Sequence, residues 1–266
     1  MTPEPNLAGQ RVLVTRPRHQ ADGQARRLRE LGAEPVLLPL LEIEPLTEAD
    51  PAFADARRCI LDLDLYRAVI FVSANAARLG AELIDDYWPQ LPVGIDWLAI
   101  GASTAATLAG YGIQARHSPD GYDSEALLSS DALRQVAGER ILIVRGDSGR
   151  DKLASDLSAR GARVDYACLY RRAAPDPEPE VLESTIYGRP LSAILITSGE
   201  SLDNLVRLLD GTDTASRLRD CLLVVPSQRI AQRAAGAGFK RTRLAGGPDD
   251  RSMIAALLAQ HDSEQD

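Results

Sequence analysis

The feature that most restricts the fold of this sequence is a repeat whose parts arrive out of order. The stretch "RVLVTRP…LRELGAEP", from Arg11, aligns with "RILIVRG…LSARGARV", from Arg140, at a constant offset that puts Gly32 on Gly161. A second pair is "AVIFVSANAARLGAEL", from Ala68, and "AILITSGESLDNLVRL", from Ala193. A third, at the same offset as the second, is "LAIGASTAATLAGYG", from Leu98, with "LVVPSQRIAQRAAGAG", from Leu223. The chain therefore reads A–B–A′–B′. Each segment begins with an apolar run of strand length and continues into an amphipathic stretch of helix length. "LRELGAE" and "LSARGAR" close on a glycine suited to a left-handed cap. Strands alternating with helices imply parallel sheets covered on both faces. The expected strands are 11–16, 34–40, 68–73, 97–101, 113–117, 140–145, 163–169, 192–198, 221–225 and 239–244. The expected helices include 20–31, 75–87, 102–111, 149–160, 200–210 and 227–237.

Which segments share a sheet is decided by the connections. "LEIEPLTEADPAF" (41–53) and "RRAAPDPEPEV" (171–181) are rich in proline and acid, the composition of extended, solvated connections. "DALRQVAGER", between B and A′, has no proline and reads as a helix end running into a strand. The boundaries are thus expected after A and after A′. One α/β lobe is continuous over 46–170; the other is assembled from 1–38 plus 180–266, with 39–45 and 171–179 as linkers that form a hinge.

Bulk properties exclude several classes of function. No apolar stretch approaches the ~20 residues of a membrane helix. "MTPEPNLAGQ" has neither a basic n-region nor an apolar core, so a cytoplasmic location is expected. The net charge of −8 argues against nucleic acid and acidic membranes as bulk partners. The cysteines (Cys59, Cys168, Cys221) and histidines (His19, His117, His261) are scattered without metal-ligand spacing, and the thiols are expected to be reduced and structural. The expected state is a monomer with a small-molecule partner.

In an open parallel sheet, ligands bind beyond the carboxyl ends of the strands. Those ends carry Thr15-Arg16-Pro17, Ser73-Ala74-Asn75, Gly101-Ala102-Ser103-Thr104 and Arg145-Gly146-Asp147-Ser148. They also carry Thr197-Ser198-Gly199-Glu200-Ser201 and Pro226-Ser227-Gln228. Hydroxyl and glycine residues at helix starts leave amides facing outward, which suits anions. The same residue types start helices in most α/β proteins simply to satisfy orphan amides, so the constellation says more than any one member. Arg16 and Arg145 would add a cation from each lobe, or else pair with a carboxylate such as Asp22 or Asp147. "GDSGR" resembles a hydrolase elbow but has Arg150 where G-x-S-x-G needs glycine. Neither a G-x-G-x-x-G after the first strand nor a G-K-[ST] phosphate loop is present.

The N-terminal "VLVTRPRHQADGQARRLRELGAEPVLLPLLEIEP" resembles the opening of bacterial uroporphyrinogen-III synthases. "VIFVSANAA", "LAIGASTAATL", "CLYRR" and "AILITSGESLDNL" follow in the places that family leads one to expect, so the resemblance runs from about Arg11 to Leu258. It implies two flavodoxin-like parallel-sheet lobes with internal duplication, joined by a two-stranded linker. It also implies cyclisation of hydroxymethylbilane, with loss of water and inversion of the last pyrrole ring, and no metal or organic cofactor. A substrate with eight carboxylates suits the strand-end amides and arginines. The family's linker tyrosine maps onto Tyr170, whose phenol could serve the leaving hydroxyl as an acid. It could equally pack at the hinge with its hydroxyl in water. The resemblance maps substrate-binding hydroxyls onto Ser73, Ser103 or Thr104, Ser198 and Ser227. With these go their strand-end neighbours Arg16, Pro17, Ala74, Asn75, Arg145, Asp147, Ser148, Thr197 and Gly199. "VVPSQR" departs from the family in lacking a Gly-Pro pair, which weakens the case for Ser227. The alternatives are a cytoplasmic two-lobed binder of a small anionic ligand without catalysis, and a nucleotide-sugar or phosphosugar enzyme built on two similar domains. The phosphosugar reading lacks a phosphate loop.

Overall fold

The structure is a computed structural model describing residues 6–117, 127–149, 151–182, 185–186, 189–210 and 215–259; Arg150 and His261, named above, lie outside them. The fold is mixed α/β with two parallel-dominated sheets. The chain divides into two compact units, Met1–Glu42 with Ala173–Asp266, and Ile43–Arg172.

In the first unit, β1 (Arg11–Val14), β2 (Glu34–Leu37), β8 (Ala193–Leu195), β9 (Leu222–Val225) and β10 (Arg241–Leu244) form a sheet in the order β10-β9-β8-β1-β2. All four neighbouring pairs are parallel. Alternate residues of these short strands serve opposite cores, so apolar runs rather than an apolar–polar alternation are required. Leu13, Ile194, Leu223 and Val225 pack with α7 (Gly199–Leu209) and α9 (Gln228–Gly236), through Leu202, Leu205, Ile230 and Ala234. Val12, Val14, Leu195 and Val224 face α1 (Arg18–Glu30) and α10 (Asp250–Leu258), through Ala21, Leu28, Met253 and Leu257. Two short helices complete this unit among the described residues, α6 (Pro179–Leu182) and α8 (Ala215–Asp220).

The second unit holds β3 (Glu42–Pro45), β4 (Ala68–Phe71), β5 (Asp96–Ala99), β6 (Arg140–Gly146) and β7 (Arg163–Ala173), in the order β3-β7-β6-β4-β5. Val69, Phe71, Leu142 and Val144 pack with α2 (Pro51–Leu61), α3 (Ala74–Tyr87) and α4 (Ala102–Gly110). Ala68, Ile70, Ile141 and Ile143 face α5 (Lys152–Ala159).

The sequence correspondence extends to the backbone. Arg11 pairs with Glu34 and Val12 with Ala193; at the matching positions Arg140 pairs with Arg163 and Ile141 with Ala68. It also begins earlier than the aligned strands. Gln10 N donates to Leu7 O and Glu34 N to Gln10 O, as Glu139 N does to Val136 O and Arg163 N to Glu139 O. The first residue of β1 and of β6 does the same job. Arg11 Nε reaches Glu34 at 3.1 Å, and Arg140 Nη2 reaches Asp165 at 2.9 Å, each fastening the start of the adjacent strand. Gly32 and Gly161 have φ of 85° and 87°, so the left-handed cap is present at both places.

Several expectations are corrected. "DALRQVAGER" is a 3₁₀ turn at Asp131–Leu133 followed by a second turn, with no helix running into the strand. Segment 113–117 contributes only an isolated bridge from Arg116 to Leu98. Glu42–Pro45, read as a solvated connection, is an edge strand beside β7. The proline of "EADPAF" begins a helix, because Pro51 occupies a first-turn position where its missing N–H costs nothing.

Helix α10 carries a titratable cap. Asp249 Oδ1 accepts from Ser252 N at 3.0 Å and Oδ2 from its hydroxyl at 2.7 Å. Desolvation acts upward on this carboxyl, but the Ser252 hydrogen bonds, with the backbone N–H groups of Asp249 and Arg251, outweigh it and hold the group below the usual aspartate range. A depressed folded pKa gives stability that is present above the unfolded value and is lost as pH falls through the folded one. Asp249→Ala should therefore cost about 1 kcal/mol at neutral pH. That deficit should shrink below about pH 4, as urea melts at both pH values would show.

Candidate active site

β7 lies parallel to β6 until Arg145 meets Cys168; the next pair is Gly146 with Tyr170, so Leu169 is extra. This bulge brings the Tyr170 ring onto Gly146, where an added Cβ would stand 2.8 Å from the ring. Asp147 N donates to Tyr170 O at 2.8 Å, which closes the bulge. Tyr170 is 1% exposed, and its hydroxyl lies 3.0 Å from Ser73 Oγ. Ser73 Oγ also accepts the Ala76 amide at 3.1 Å, capping α3. Of the two readings of Tyr170, the one that put its hydroxyl in water is corrected: the hydroxyl is inside the unit, bonded to the serine that starts the neighbouring helix.

The structure thus brings together Ser73 and Asp147, from two strand ends, with Tyr170 from the bulge of β7. Ala74 and Asn75 form the first turn of α3. Asp147 and Ser148 lie exposed after β6. At α4, Gly101 begins the helix at φ 86° with no side-chain cap, and Ser103 is exposed. Thr104 is buried with Oγ1 donating back to Ile100 O at 3.0 Å, so of the two hydroxyls proposed there Ser103 is the accessible one.

In the first unit Ser198 caps α7, accepting from Ser201 N at 3.0 Å, with Thr197 before it and Gly199 after. Ser227 precedes α9 but makes no side-chain cap. Pro17 stands at the start of α1, likewise without a side-chain cap. Arg16 Nε lies 3.0 Å from Asp250 Oδ1, an ion contact rather than an aligned hydrogen bond, and Nη2 donates to Pro248 O. Arg145 is 8% exposed. Its Nη1 donates to Asp151 Oδ1 at 2.8 Å, its Nε to Gly146 O at 3.1 Å, and its guanidinium lies 5.0 Å from the Tyr166 ring centre. Both strand-end arginines have carboxylate partners, but these are Asp250 and Asp151 rather than Asp22 and Asp147.

The thiols stay protonated at neutral pH. Burial pushes Cys221 up to about 11, and desolvation likewise raises Cys59 and Cys168. Among the described residues, no group of three His, Cys, Asp or Glu side chains could hold a metal ion. No helix of the described residues is long and apolar enough to cross a membrane.

A family model described as uroporphyrinogen-III synthase HemD matches residues 22–255. The chain belongs to the uroporphyrinogen-III synthase family. A uroporphyrinogen-III synthase of Escherichia coli (strain K12) is 32% identical over 247 residues, covering 92% of this chain and 99% of its own length. One of Salmonella typhimurium is 33% identical over 254 residues, covering 92% and 99%. The crystal structure of a uroporphyrinogen-III synthetase from Helicobacter pylori 26695 superposes with a TM-score of 0.58 at 14% identity, over 94% of this chain and 99% of that one. At that identity the superposition speaks for the fold alone.

Proposed function

We propose that this chain is a uroporphyrinogen-III synthase of tetrapyrrole biosynthesis, closing hydroxymethylbilane to uroporphyrinogen III with loss of water and inversion of ring D. The observation that carries this is the family match over residues 22–255, with a relative of that name at 32% identity across nearly both chains. An acid assists departure of the ring A hydroxyl. The substituted carbon of ring D then attacks the resulting cation, and the spiro intermediate fragments and recloses with ring D reversed. Spontaneous closure gives the unrotated isomer, so the enzyme's contribution is largely one of positioning.

The Tyr170–Ser73 pair supports a particular route for the proton. Ser73 Oγ, half-buried at the strand end, meets the leaving hydroxyl, and Tyr170 behind it supplies the proton through the 3.0 Å hydrogen bond. Exposed Ser103 and the strand-end residues Ser198 and Ser227 offer hydroxyls and helix-start amides to substrate carboxylates. Arg16 gives one of them a charge-assisted contact, and Arg145 holds the loop that carries Asp147 and Ser148.

We further propose that the units are two copies of one flavodoxin-like plan joined by a two-stranded linker. The constant-offset registers of β1 with β2 and β6 with β7 support this. The reading also places the protein in the cytoplasm as a monomer that needs no cofactor and binds no nucleic acid.

The test is to supply freshly made hydroxymethylbilane and resolve the product isomers after oxidation. The rotated isomer should form faster than spontaneous closure gives the other. Unrotated isomer alone, at the spontaneous rate, would leave only the non-catalytic binder.

A further inference from the structure

Gln24 is fully buried on the face of α1 that also carries Ala21, Ala25 and Leu28. The position that matches it in the repeat is Leu153 on α5, also buried. Putting an amide where the other copy has leucine costs desolvation free energy unless both of its polar ends are bonded. Only one end is. Gln24 Nε2 donates to Asp250 Oδ1 at 3.1 Å, while Oε1 has no hydrogen-bond partner. That carboxylate oxygen is the one 3.0 Å from Arg16 Nε. Helix α10 does not need Asp250 for its cap, because Asp249 already binds Ser252. A buried glutamine with an unsatisfied oxygen is a poor choice for stability, and its single bond goes to the carboxylate that holds Arg16.

We propose that Gln24 and Asp250 are positioning residues that aim Arg16 at a carboxylate of the substrate. With the Asp250 carboxylate in ion contact with Nε and Nη2 donating to Pro248 O, the planar guanidinium is tethered along one edge, and Nη1 has no partner among the described residues. This rests on the reading of Arg16 as a substrate-binding residue. Arg145 lacks such an arrangement, since its guanidinium turns onto its own loop.

The test measures KM and kcat for hydroxymethylbilane beside Tm in four variants. Gln24→Leu, which copies the other repeat, should keep or raise Tm while raising KM roughly three- to tenfold at nearly constant kcat, a loss of up to about 1.4 kcal/mol in binding. Asp250→Asn should raise KM roughly tenfold. Asp249→Ala should lower Tm and leave KM alone, which separates helix stability from aim. Arg16→Gln should raise KM at least as much as either positioning variant. If Arg16→Gln raises KM but Gln24→Leu and Asp250→Asn do not, the positioning role is wrong. A wild-type KM in Arg16→Gln would remove the underlying reading, and the inference with it.

Discussion

Tyr170→Ala is expected to lower the unfolding free energy by about 3–5 kcal/mol, because it empties the space of a fully buried aromatic ring beside the bulge. Loss of activity in that variant would say nothing about chemistry. Tyr170→Phe is the informative partner. It keeps the ring against Gly146 and removes only the bond to Ser73, at a stability cost of about 0.5–1.5 kcal/mol. If Tyr170 supplies the proton, Tyr170→Phe should lose kcat by roughly a hundredfold while product affinity changes little. Equal losses in turnover and product binding would mean that the phenol matters as packing. Urea melts read beside single-turnover rates give both numbers from the same preparations.

Gly146→Ala is expected to cost about 1–3 kcal/mol, although only one methyl group is added. Gly146 is not among the positive-φ glycines, so the penalty is purely steric. The new Cβ would meet three atoms of the Tyr170 ring, at 2.8, 2.9 and 3.2 Å. That ring has no free direction to yield, with Ser73 at its hydroxyl and apolar core around it. The two substitutions should therefore be strongly non-additive. In the Tyr170→Ala background, Gly146→Ala should become nearly neutral, giving a coupling of about 1 kcal/mol or more in a double-mutant cycle. Additive losses would show that the glycine is needed for something other than the ring.

Much of the fold could be read from apolar runs, because a parallel strand buried on both faces has no other pattern available. β1 shows where this reading overshoots. It was expected to reach Arg16 but ends at Val14, since Thr15 leaves the ladder and donates its hydroxyl to Leu195 O at 2.6 Å. β3 gives no strand signal of its own, because an edge strand with a half-buried Glu42 and an exposed Glu44 has the composition of a solvated connection. α2 was hidden behind Pro51, which marks a helix start as readily as a linker. At the candidate site, the serines following strands were legible because capping requires them at those positions. The contact between Tyr170 and Ser73 was not, as it depends on sheet order and on one extra residue in β7. Asp250, the partner of Arg16, was further out of reach, since the two residues come from opposite ends of the chain. Local composition carries no trace of such a pairing.

The sheet of the first unit also sets an order of events during synthesis. Its central contact joins β1 to β8, and β8 follows in the chain only after Arg172 has completed the other unit. A nascent chain of that length already contains every strand of one sheet, while β1 and β2 have no strand to complete theirs. The exposed "RVLV" edge must wait through the whole of the second unit's emergence, at roughly 5–20 residues per second. β1 thus finds its central neighbour only after a whole unit has emerged between them, and slow translation past Arg172 would lengthen that exposure.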